Sequence, residues 1–422
     1  MKLSSVKSVF QKFSFFKDYS SLIVPALLAI VAALFFVPMT LMQRSLANRI
    51  ERQSVAKEKM IESLRNVPSG KQWMKQRERE VSIRNDANNI AQLAEQSSQR
   101  QLLSYSVFPA PKEVSRQIFE QFGGQYRTAI GAWASDLHAR ECPTQAELSK
   151  SRNRSADVDT SSESDMPETD RIIIDHLCKE VAQSVNVYFD PANIAGYKFW
   201  DGYQYSNMER SVGDCWYWQI GYWIIEDVFQ TVKTLNAGSA NVLTAPVKRI
   251  VDISFSSDSA SDTASSAGAF QPFAAADQTG MPQYVTSLRA GPMPPLTARV
   301  SNDRIDVVHF RLSVVVSAKA VPQFLQQLCS GKTHSFRGFH NELTEEKIFH
   351  HNQITILGSD FGAVTPEDGG DKFYRYGSDG VVQLVLRCEY VFDEKGYDAI
   401  KPPSVQKDLD GRIQQSASQP QP

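Results

Sequence analysis

Cys215 stands between Asp214 and Trp216, a position where a thiol nucleophile can be imagined, but no histidine lies near it in the sequence. A nucleophilic thiol needs a base or a cation that lowers its pKa, so Cys215 reads as a buried structural cysteine. His334, His340, His350 and His351, with Glu345 and Glu346, are the residues from which a metal site could be built. They do not form HExxH, and the adjacent His350 and His351 would point to opposite faces of a strand. Exposed imidazoles on a loop and a strand edge are the expectation. The acidic run 157–170 lacks the fixed oxygen spacing and the glycine of a calcium loop. GxSxG, GxxxxGK[ST] and a GxGxxG opening a helix are absent. Cys142, Cys178, Cys215, Cys329 and Cys388 include no CxxC and are too scattered for a disulfide framework. The residue types therefore point to no enzyme, no cofactor and no metal.

The 422 residues carry 45 Lys+Arg and 47 Asp+Glu, a net charge of −2, which argues against nucleic-acid binding by bulk charge. Leu22 to Met42 holds no charge and only Thr40 as a polar side chain. About 20 apolar residues at helical rise span a hydrocarbon core of ~30 Å. A secretory h-region is shorter, about 7–15 residues, and ends in a small-x-small site that this stretch lacks. An uncleaved transmembrane helix over 21–43 is expected, preceded by a cytoplasmic tail over 1–20. Lys2, Lys7, Lys12 and Lys17 precede it, and Arg44, Arg49, Arg52, Lys57 and Lys59 follow. That near tie leaves sidedness undecided by charge.

Residues 44–108 read as a coiled-coil stalk. Leu46, Ile50, Gln53, Lys57, Met60, Leu64 and Val67 alternate spacings of four and three, and Pro68-Ser69-Gly70 then breaks the helix. Ile83, Ala87, Ile90 and Ala94 continue the seam in a second run over about 71–103. Leu46, Ile50, Met60, Leu64, Ile83, Ala87, Ile90 and Ala94 are thus the candidate contacts for a homodimer or a heterodimer with another single-span chain.

Beyond the stalk, an α+β organisation is expected. A first module covers 109–255, with helical stripes at Val114, Ile118, Phe122, Tyr126, Ile130, Trp133 and Leu137 and at Ile173, Leu177, Val181 and Val185. It contains a disordered loop at 146–170. A strand near 214–220, a helix over 222–235 and a strand over 247–255 follow. Four of the six tryptophans fall among the dense aromatics of 197–229, either as core or as a platform for glycan or peptide. A flexible linker spans 256–300. A second module over 301–396 reads strand, helix, strand, strand, the makings of a split β-α-β half. A disordered tail closes the chain at 397–422.

A short basic tail, one span (22–42), broken helices (44–103), the strand–helix pair FRLSVVVSAKAVPQFLQQLC (310–329) and the closing strand VVQLVLRCEYVFD (381–393) resemble the PilO-like family of type IV pilus assembly and the related GspM-like proteins of type II secretion. The nearest likeness is to the large Akkermansia and planctomycete type. The resemblance covers most of the chain in layout and rests on no signature residue. It implies two ferredoxin-like modules and a non-catalytic role in which stalks and modules pair with another assembly protein. It also implies a bacterial inner-membrane location with the bulk of the chain periplasmic.

Overall fold

No glycine interrupts the chain between Ser20 and Arg65, and the apolar run and the charged run after it form one continuous helix, α1 (Ser20–Arg65), with Pro25 and Pro38 inside it. The computed structural model describes residues 20–65, 70–113, 115–151, 168–255, 280–287, 297–339, 345–364 and 371–418. Several expectations fall outside the described residues: the tail 1–19, the helix break at 66–69, Val114, the middle of the acidic loop (152–167), much of the expected linker (256–279 and 288–296), His340, the end 419–422 and the side chain of Leu64. The chain divides into two units, Met1–Ala87 and Asn88–Pro422.

In the first unit, Leu27, Leu28, Ile30, Leu34, Phe35 and Phe36 are 59–74% exposed. Leaving that much apolar surface in water is strongly unfavourable. One helix, read over Leu27–Glu62 with a window of mean hydropathy 1.8, is long and apolar enough to cross a membrane, and a secretory signal passes the same test. The next helix, α2 (Gly70–Ser98), starts where the sequence places the break.

The second unit is built on a single six-stranded sheet. Its elements are α3 (Gln117–Asp136), β1 (Ala139–Arg140), α4 (Gln145–Ser151), α5 (Glu168–Ser184), β2 (Val187–Phe189), α6 (Tyr197–Asp201), α7 (Met208–Asn236), β3 (Val247–Ser254), β4 (Ile305–Ser317), α8 (Val321–Leu328), β5 (Lys332–Phe336), β6 (Lys347–His351), β7 (Ile354–Ala363), β8 (Val381–Asp393) and α9 (Pro403–Ser418). The strand order is β1-β2-β3-β4-β8-β7, with β5 and β6 forming a separate hairpin. β1, β2 and β3 run parallel; β3–β4, β4–β8 and β8–β7 are antiparallel. The strands expected in two separate modules therefore share one sheet, because β3 pairs with β4 along its length. β4 is central and covered on both faces: Val314 and Val316 enter the main core, while Val315 joins Val181, Tyr188 and Tyr376 on the other side. That double burial explains the unbroken Val314–Val316 triplet.

Four expectations change. The segment 214–220 is not a strand but part of α7, whose Asn207 cap accepts the Arg210 N–H at 2.9 Å. Aromatic β-propensity is outweighed because this helix is buried on nearly every side, touching α3, α8, α9 and β3. Both ends of the expected acidic loop are helical, in α4 and in the first turn of α5, because Leu148 and Ile174 pack together with Cys178. The expected linker is anchored in its middle: Tyr284 and Val285 are buried, Val285 N–H donates to Val307 O, and Trp216 Nε1–H donates to Tyr284. The expected tail contains α9, whose Val405 and Leu409 enter the core.

Gly377 shows how tightly the loops meet. Its φ is +86°, and a Cβ there would stand 2.5 Å from Leu243 O. Gly377→Ala is expected to cost about 1–3 kcal/mol from backbone strain alone, visible as a lowered midpoint in urea unfolding.

Candidate functional site

The expected contact stripe lies on the two long helices. Leu46, Ile50, Met60, Ile83 and Ile90 are 59–66% exposed, Ala87 is exposed and Ala94 half-buried. Val55, Ile61, Val81 and Leu93 add further exposed apolar surface on the same helices. The four-three spacing places the first set on a helical stripe, and the exposure shows that this chain leaves most of that stripe open.

The aromatic segment is mostly core rather than platform. Trp216, Trp218 and Trp223 are fully buried and Trp200 nearly so, leaving Tyr197, Phe199, Tyr203, Tyr205 and Tyr222 partly exposed. Cys215 sits among them at 0% exposure. Burial, with Asp214 nearby, pushes its thiol well above the usual range, the setting of a buried structural cysteine.

A polar cluster that the sequence did not reveal lies where four segments meet in the second unit. Arg100, in the loop after α2, is 2% exposed. It donates to Asp227 Oδ1 (2.7 Å), Glu226 (2.9 Å), Tyr390 Oη (2.7 Å) and Trp223 O (3.2 Å). Asp227 Oδ2 accepts from Tyr390 Oη (2.7 Å) and meets His351 Nε2 (2.8 Å). Burial opposes the Asp227 charge, but Arg100 and His351 outweigh it and hold the carboxyl well below the usual carboxylate range. Burial likewise opposes the Arg100 charge, and Asp227, Tyr390 and Glu226 more than restore it. The pair is ionised because each charge is met and further hydrogen-bonded.

The hairpin β5–β6 brings the histidines in. Lys332, His334 and Phe336 alternate inward on β5, and Phe349 and His351 on β6. His334 lies opposite Phe349, so His351 is its diagonal neighbour. The two imidazoles touch Nδ1 to Nδ1 at 2.9 Å, and His334 Nε2 reaches Gln99 O at 2.9 Å. Burial, with Arg100 and His351, lowers His334 to about 3. Burial also lowers His351, against the pull of Asp227. His351 is thus buried rather than exposed as expected, because it caps a core carboxylate; His350 is exposed, on the opposite face, as strand alternation requires. Glu345 and Glu346 are exposed, with Glu346 paired to Arg337. Among the described residues no group of three or more His, Cys, Asp or Glu could hold a metal ion.

A cleft of about 660 Å³ opens beside the cluster, lined by Arg100, Trp133, Glu226, Lys233 and His334 among others. Lys233 is tied to Asp136 at 2.6 Å, which leaves the lining balanced in charge. No family model, no curated protein and no solved structure matches this chain.

Proposed function

We propose that the chain is a non-catalytic, membrane-anchored assembly subunit of an envelope machine of the type IV pilus or type II secretion kind. On this reading α1 holds it in a bacterial inner membrane, with the second unit periplasmic. The observation that carries the reading is the exposed apolar stripe of Leu46, Ile50, Met60, Ile83 and Ile90. A solvated lone helix has no need of aliphatic residues recurring along one heptad stripe, whereas a helix pairing in a coiled coil does. The topology adds support. β4 and β7 flank β8 with α8 between them in the chain, and α7 and β3 precede them. This order resembles the strand plan of a ferredoxin-like sheet whose chain is opened at another point. The PilO-like and GspM-like resemblance implies that such a sheet on an anchored stalk holds neighbours.

The test is photo-crosslinking from Ile50 and Ile83 in the full chain embedded in membranes. Crosslinks to a second copy or to another single-span chain are expected, and Ile50→Lys with Ile83→Lys should abolish them. A chain that stays monomeric and crosslinks only to lipid or to itself within one copy would sink the reading.

A binding module built on 197–223 is the second reading. Burial of its tryptophans removes most of the surface that it needs.

A further inference from the structure

With both rings neutral, the His334–His351 contact leaves two acceptors facing each other. His334 Nε2 faces a carbonyl, Gln99 O, and His351 Nε2 faces the Asp227 carboxylate. Both partners only accept, so both Nε2 atoms must carry the hydrogen. Each neutral ring then has a bare lone pair on Nδ1, and these two lone pairs face each other across 2.9 Å. Two lone pairs at that distance repel unless an electrophile lies between them.

We propose that His334 and His351 form a two-imidazole site for a late first-row divalent transition-metal ion, bound through the two Nδ1 atoms. Imidazole nitrogen selects zinc, nickel and copper over the oxygen-seeking cations. Nitrogen–metal distances of about 2.0–2.1 Å put two nitrogens roughly 2.9 Å apart at a right angle and roughly 3.3 Å apart at the tetrahedral angle, so the rings need part by only a few tenths of an ångström. The outer partners have the arrangement that metal-bound histidines use: each donates its other ring N–H, one to a carbonyl and one to a carboxylate, which fixes tautomer and orientation. Asp227 offsets part of the charge of Arg100 and Lys332 that face the rings. Entry is from the cleft, whose wall includes His334, and water fills the remaining positions. Histidines on neighbouring strands placed the pair; register and the Asp227 contact supply what spacing in the sequence does not.

Full-length protein in detergent, stripped with a chelator, is titrated with Zn²⁺ and separately with Ni²⁺ by calorimetry. One ion bound saturably per chain is expected, with binding lost in His334→Gln and kept in His350→Gln. The glutamine amide introduced by His334→Gln can still donate to Gln99 O, and thermal unfolding of that variant reports whether the fold is kept. Should it unfold, ¹⁵N spectra of the unsubstituted chain decide: Zn²⁺ should shift both Nδ1 resonances and leave both Nε2 atoms protonated. Absence of saturable binding, binding unchanged in His334→Gln, or three ring N–H protons on the metal-free pair would each overturn the site.

Discussion

Asp227→Ala is expected to destabilise the second unit by about 3–5 kcal/mol, the range for removing one partner of a buried ion pair. The substitution leaves Arg100, 2% exposed, with its strongest acceptor gone, and leaves Tyr390 and His351 without the oxygen they share. Glu226 is a poor replacement because burial raises its pKa and so disfavours the carboxylate form. Urea unfolding of the full chain in detergent, followed by tryptophan fluorescence, measures the loss; Trp223, whose carbonyl accepts from Arg100, sits at the cluster. Arg100→Met should be similarly costly, since it strands Asp227. Combining it with Asp227→Ala should cost less than the sum of the two single losses, with a coupling of about 0.5–3 kcal/mol. Strict additivity would mean that the cluster does not act as one unit.

Ile30→Arg with Leu34→Arg is expected to release the chain from membranes. Both residues lie near the middle of the apolar run and are 60% and 66% exposed in the chain. Each arginine at a span centre costs about 2.5–3.5 kcal/mol of insertion free energy. The unsubstituted chain should sediment with membranes and resist alkaline carbonate, and the double variant should move to the soluble or degraded fraction. Intact-mass measurement separates anchor from signal: an anchored chain keeps residues 1–43, whereas a trimmed mature chain refutes anchorage. A double variant that still resists carbonate extraction would equally refute a span at 22–42.

The long helices were legible because their cause is local. An uninterrupted apolar run and four-three spacings specify a helix and its faces before any packing exists, and α1 and α2 begin and end near the places read from Pro68-Ser69-Gly70. The strand–helix–strand–strand run of β4, α8, β7 and β8 was legible for the same reason, from segments rich in Val and Ile and from Pro322, which suits the first turn of α8. The aromatic segment was not, because Trp, Tyr and Ile carry strand propensity that burial against α3, α8 and β3 overrides in α7. Nor could the sequence join its two expected modules. The whole stretch between Ser254 and Ile305 separates β3 from β4, and their pairing becomes favourable only once a shared core forms. The ion cluster lay furthest from reach. Arg100, Asp227, His351 and Tyr390 come from a loop, a helix, a hairpin and a strand. Sequence by itself determined where this chain is apolar, helical and extended; only tertiary structure decided which charges meet, because a buried charge is tolerated only where distant segments converge to neutralise it.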